Sequence, residues 1–258
     1  MSGKIPWIGT SWKMNKLRSE AQEFATTLKI SAIAKTQAVH PFVIPPFPYI
    51  AEVADILKGS RIKIGAQNMH WDDSGAWTGE ISGPMIKDCG ATIVEIGHSE
   101  RRTFFNETDD AVGLKVQAAL KHGLLALVCI GDTKAEYDAG ETAHALEWQA
   151  RSALKHVAKS AMGNVIFAYE PVWSIGVGGV PADPDFANDQ HEMIKVITQE
   201  ITGEVLPVLY GGSVNPTNCC ELAARSHVDG LFIGRSAWDA AGYIAIVEAV
   251  TAHLGAKL

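Results

Sequence analysis

Eight short apolar runs, spread along all 258 residues and separated by helix-like stretches, limit what this chain can fold into more than any other feature. They are residues 7–10, 42–44, 62–66, 91–96, 124–130, 165–169, 206–210 and 230–233. Most are continuous rather than alternating, the pattern of parallel strands covered on both faces. Between them, Ser19 to Leu28 sets Ala21, Phe24, Ala25 and Leu28 on one helical stripe, and residues 141–158 and 185–201 have the same character. Strands alternating with helices fit a closed (β/α)8 barrel or a doubly wound sheet. Even spacing and the lack of a Pro/Gly/Ser linker favour one α/β barrel domain over residues 1–258.

Composition narrows the partners. A hydrophobic content of 47% is that of an ordinary globular chain able to bury a large core. A net charge of −7 argues against nucleic acid or an anionic membrane, yet leaves room for a small anionic substrate held by local groups. Cys89, Cys129, Cys219 and Cys220 lack the spacing of a metal site or a disulfide framework, so reduced packing thiols are expected. Met1-Ser2-Gly3-Lys4 leads almost directly into a strand without an apolar leader region, and a cytoplasmic protein is expected.

Polar and glycine residues cluster just after the strands. Ser11 and Lys13 follow the first, His98 and Glu100 the fourth, Glu170 the sixth, Gly211-Gly212-Ser213 the seventh and Gly234 the eighth. Strand C-termini of a parallel barrel share one rim, so these residues are expected around one pocket. Glu170 ends an apolar strand, is followed by Pro171, and leads into a loop carrying Gly176 and Gly178. A strand-held carboxylate under a glycine-hinged lid suits a general base; a Glu balanced by a neighbouring cation is the plainer reading. Lys13, beside Trp12, is either a surface lysine or a cation aimed at an anion and an enolate oxygen. His98 opens a helical turn, and a helix N-terminus disfavours a cationic ring, leaving a neutral imidazole to donate to a carbonyl. Glu100 stands to pair with Lys13 or to move protons, and Arg101 and Arg102 to make structural ion pairs. The glycines after the seventh and eighth strands offer unobstructed N–H groups, at expected helix starts, for a phosphate.

Five blocks in order, Trp12-Lys13-Met14-Asn15, Gly75 to Ser82, Gly97 to Arg102, Ala168 to Gly178 and Tyr210 to Val214, make the chain resemble triosephosphate isomerases from end to end. The resemblance implies Lys13 as the electrostatic contact, His98 as electrophile, Glu170 as base and Glu100 as an auxiliary carboxylate; the neutral-imidazole role is the one known for that family. It implies Gly176, Ser213 and Gly234 as phosphate-binding backbone, and a homodimer through the Trp71–Ser82 loop with Thr78 steadying the partner's site. It further implies no metal or redox cofactor, and a place in glycolysis and gluconeogenesis.

The chain departs from that pattern at four places. Ser11 replaces the usual Asn, Gly179-Val180-Pro181 forms the lid's far hinge, Gly234-Arg235 replaces a glycine pair, and Trp71 and Trp77 sit in the inserted loop. Backbone N–H groups survive at Arg235, which stays among the substrate-binding candidates. Ser11 leaves room for an extra hydroxymethyl group. The resemblance thus implies interconversion of dihydroxyacetone phosphate and glyceraldehyde 3-phosphate first. The alternative is isomerisation of L-erythrulose 1-phosphate to D-erythrulose 4-phosphate by the same residues. A strand lysine for Schiff-base chemistry is not expected, since Lys63 lies near the start of its run.

Overall fold

The eight apolar runs become eight parallel strands: β1 Trp7–Ser11, β2 His40–Ile44, β3 Lys63–Ala66, β4 Ile93–Ile96, β5 Leu125–Ile130, β6 Val165–Tyr169, β7 Val208–Tyr210 and β8 Gly230–Ile233. They pair in sequence order, and β8 returns to β1, so the sheet closes into a single (β/α)8 barrel. The computed structural model describes residues 5–176 and 178–258; the N-terminal stretch 1–4, read above for a leader, and position 177 of the glycine-rich loop lie outside the described residues.

Alternation of side chains along each strand decides what faces where. In β5, Leu127 and Cys129 point into the barrel with Phe42, Ile44, Ile93, Ile166, Ala168, Leu209 and Phe232. Ala126, Val128 and Ile130 point outward into the larger core under the helices. Both faces are therefore dry, which is why the runs read as continuous. Gly9 is inward as well, and a Cβ there would lie 2.3 Å from the Phe42 ring.

The helices cover the outer face. Helix Arg18–Ile30 buries the expected stripe of Ala21, Phe24, Ala25 and Leu28, where each large apolar side chain contributes roughly 1.5–3 kcal/mol. Helix Pro184–Thr202 starts on Asp183, whose side chain accepts from the N–H groups of Asp185 and Phe186, and stops on Gly203 at φ +83°. Among the described residues no helix is long and apolar enough to cross a membrane. The four cysteines are free, and Cys129 is buried inside the barrel as its apolar surroundings suggested.

Candidate active site

The same alternation carries four residues to the mouth of the barrel. Ser11 is the last residue of β1 rather than a loop residue, inward two positions after Gly9. Glu95 lies two after the inward Ile93, Glu170 two after Ala168, and Gly211 two after Leu209. Above them a cavity of about 300 Å³ is lined by Ser11, Lys13, His98, Glu100, Glu170, Gly176, Ser213, Gly234 and Arg235. Every residue that the sequence nominated for chemistry or binding thus reaches one pocket.

Lys13 is held where a lysine does not choose to be. Its φ of +52° is in the left-handed region, a strain typical of functional positions. Asn15 Nδ2 donates to the Trp12 carbonyl at 2.8 Å, and Gln67 Nε2 to the Lys13 carbonyl at 2.9 Å, so the turn is tied on both sides. The ammonium meets Glu100 Oε1 at 2.6 Å. Of the two roles open to Glu100, pairing with Lys13 is the one seen.

His98 caps helix Ser99–Phe105, its Nδ1 accepting from the Glu100 N–H at 3.1 Å. A ring nitrogen that accepts carries no proton, so the imidazole is neutral with its hydrogen on Nε2. That Nε2 lies 3.4 Å from Glu170 Oε1 and 3.9 Å from Glu95 Oε1. Glu170 is 2% exposed, and its Oε2 accepts from the Ser99 N–H at 3.3 Å. Gly211 makes room for it, since a Cβ there would sit 2.9 Å from Glu170 Cγ. The end of β6 and the turn after it are anchored by Asp132, which accepts from Tyr169 Oη at 2.9 Å and Trp173 Nε1 at 3.2 Å.

One expectation needs correction. Gly211-Gly212-Ser213 does not open a helix; the next helix begins at Cys219, after a turn through Asn215 and Pro216. Gly212 is required there because a Cβ would collide with Tyr210 Oη at 2.4 Å and Ser174 Oγ at 2.6 Å. Gly234 does precede a helical turn, the 3₁₀ segment Arg235–Ala237. No ligand cluster is visible along the sequence, yet the fold brings one atom each of Glu95, His98 and Glu170 within 4.8 Å of one another.

Glu95 is the residue that sequence reading passed over. It is 2% exposed at the top of the barrel interior, and Ser11 Oγ donates to its Oε2 at 2.9 Å. Burial pushes its carboxyl up to about 7, with the nearby His98 ring opposing, the Glu170 charge adding and the Ser11 bond opposing. The signal was present: an acid at an inward position of a strand that is otherwise apolar. Arg101 and Arg102 make the expected ion pairs, with Glu107 and Asp109 each at 2.5 Å.

Comparison with known proteins agrees with this geometry. The triosephosphate isomerase family profile matches residues 6–250. The chain is 53% identical to the L-erythrulose-1-phosphate isomerase of Rhizobium meliloti (strain 1021) over 251 residues, 97% of this chain and 98% of that relative. It is 52% identical to the protein of that name from Mesorhizobium japonicum (strain LMG 29417 / CECT 9101 / MAFF 303099), over 97% and 99% of the two chains. The Brucella abortus biovar 1 (strain 9-941) protein, again of that name, is also 52% identical, over 93% and 94%. A closed eight-stranded barrel, a pocket that gathers amine, imidazole and carboxylate, and a match along nearly the whole chain place this protein in the triosephosphate isomerase family, as an isomerase of sugar phosphates.

Proposed function

We propose that this enzyme interconverts L-erythrulose 1-phosphate and D-erythrulose 4-phosphate. The carrying observation is the half-identity, over nearly the full length of both chains, to relatives named for the first of these substrates. Ser11 supports it, because a serine at the reacting end occupies less space than an asparagine. The three-carbon reading, which the sequence resemblance puts first, shares every chemical group, whereas the relatives compared above carry the four-carbon substrate in their name.

In this reading Glu170 removes the proton from C3, next to the C2 carbonyl. Charge gathers on both oxygens of the enediolate, where the Lys13 ammonium and the His98 Nε2–H stabilise it; one such preorganised donor is worth about 10²–10³ in turnover. His98 passes a proton between the two oxygens, and Glu170 returns its proton to C2. The sum moves one hydrogen from C3 to C2 and one from O3 to O2. Glu100 orients Lys13. Backbone N–H groups at Gly176, Ser213, Gly234 and Arg235 cradle the phosphate. No cofactor takes part in this scheme.

Residues 73–80 of the inserted loop are exposed, while Trp71 and Trp77 fold back on the His70 ring at 4.2 and 4.5 Å. This supports a loop prepared to enter a second copy of the chain, and sedimentation of the purified protein checks the homodimer. The substrate reading is checked by assaying the full chain on L-erythrulose 1-phosphate beside dihydroxyacetone phosphate. A higher kcat/KM for the four-carbon sugar is expected, and a higher value for the three-carbon one would overturn it.

A further inference from the structure

The layer beneath the pocket ought to be apolar, since the inward cluster below consists of Phe42, Ile44, Ile93, Leu127 and their neighbours. Glu95 interrupts it. A carboxyl placed there is destabilising for the barrel, because among the described residues its hydrogen bond comes from a neutral serine rather than a cation. Its hydrogen-bond partner among the described residues is Ser11, which reaches it across 84 positions of sequence. Ser11 in turn lines the cavity beside Lys13, His98 and Glu170.

The consequence is one of polarity. A serine hydroxyl can donate once and accept twice. With its hydrogen committed to Glu95, Ser11 offers the cavity lone pairs only. Lys13 and the His98 Nε2–H are donors, suited to the two enediolate oxygens. Glu170 is occupied with the carbon-bound proton. A four-carbon substrate brings one further group, a terminal hydroxymethyl, whose hydroxyl must donate to something. Ser11 Oγ, at the barrel mouth beside Lys13, His98 and Glu170, is an acceptor placed for it.

We propose that Ser11, held by Glu95, is the specificity-determining residue for the four-carbon substrate, its Oγ accepting a hydrogen bond from the terminal hydroxymethyl. Glu95 is then a positioning residue that acts through Ser11. This inference rests on the substrate reading given under Proposed function. It adds to the spatial account of Ser11: the side chain is short, and it also presents the opposite hydrogen-bonding sense to an asparagine amide N–H.

The test measures kcat/KM of the full-length enzyme on L-erythrulose 1-phosphate and on dihydroxyacetone phosphate at pH 8, where Glu95 is ionised. Ser11→Ala and Glu95→Leu should each lower the four-carbon to three-carbon ratio about tenfold or more, the scale of an unpaired polar group in a binding site. Glu95→Gln, which can still accept from Ser11, should keep the ratio within about threefold of the parent enzyme, and Glu95→Leu should lower it no further in a Ser11→Ala background. A purely structural Glu95 would depress both substrates alike and add to the Ser11→Ala loss. Ratios unchanged in Ser11→Ala, or additive losses in the double variant, overturn the proposal while leaving the substrate reading intact. A parent enzyme that turns over only the three-carbon sugar sinks that reading, and this proposal with it.

Discussion

Two buried clusters of charge grow from the same stretch of chain, residues 95–115, and they are built on opposite plans. Behind the pocket, Glu107 is gripped by Arg101 at 2.5 Å and Lys115 at 3.0 Å, accepts the Gly97 N–H at 3.2 Å, and leaves Lys115 a further bond to Asn68 at 2.9 Å. Burial acts to raise the Glu107 carboxyl, but Lys115 and Arg101 overcome it, and the group ends below the usual carboxylate range. Under the pocket, Glu95 and Glu170 face each other around the neutral His98, and Glu95 ends well above that range. One cluster is satisfied from within the protein, whereas the other leaves acids and a donor short of partners beside a cavity. The comparison teaches where to look for chemistry: a cluster whose carboxylate is met by cations holds the frame, and one whose acids lie beside an open cavity awaits a ligand.

The largest effect that sharpens this contrast is on turnover. Glu170→Gln should lower kcat about a thousandfold, the scale of a lost general base, while the melting temperature stays level or rises. Glu170→Asp, which withdraws the carboxylate by one methylene, should fall between the two enzymes. Parent-like turnover in Glu170→Gln would remove it as the base and blur the distinction between the clusters.

Breaking the Glu107 cluster should read out on stability instead. Lys115→Met leaves a buried carboxylate short of a partner, and denaturant unfolding should show a loss of roughly 3–5 kcal/mol, with kcat within about twofold of the parent. A variant that unfolds normally yet turns over slowly would transfer this cluster to the catalytic side.

The pH dependence should separate the two by sign. Glu95 takes up its proton in the folded state at about 7 and, once unfolded, near 4.5. Its contribution to stability is therefore fully present below about 4.5 and is lost as pH rises through about 7. Glu95→Gln removes that loss, so its advantage over the parent should grow by roughly 2–3 kcal/mol from pH 5 to pH 8, because each tenfold change in proton affinity is worth about 1.4 kcal/mol. Glu107, depressed when folded, works the other way and loses its contribution on acidification. An equal gap between parent and Glu95→Gln at both pH values would contradict a proton held by burial.

The smallest effect is a control. Arg18 and Glu52 pair on the surface at 3.0 Å, where water screens the interaction. Arg18→Ala should leave the unfolding midpoint and turnover where they were. A clear loss would mean that exposed pairs matter here as buried ones do.

Much of this was legible beforehand, for local reasons. Apolar runs report strands covered on both faces, the stripe Ala21, Phe24, Ala25 and Leu28 reports a helix face, and Lys13, His98 and Glu170 are marked by their place just after strands. Helix starts are less legible. At Gly211-Gly212-Ser213 the glycines answer a collision with Tyr210 and Ser174, which come from elsewhere in the chain.

By itself, the sequence determined the alternation of elements, the family and the residues of the rim, because those depend on neighbours a few positions away. Only the tertiary structure decided that Ser11 meets Glu95, that Lys13 pairs with Glu100, and that two acids and a ring share one corner. Closing the barrel sets which alternate residues face inward and at what height they meet. Burial at that height, which no short stretch of chain encodes, is what lifts a strand glutamate toward neutral pH.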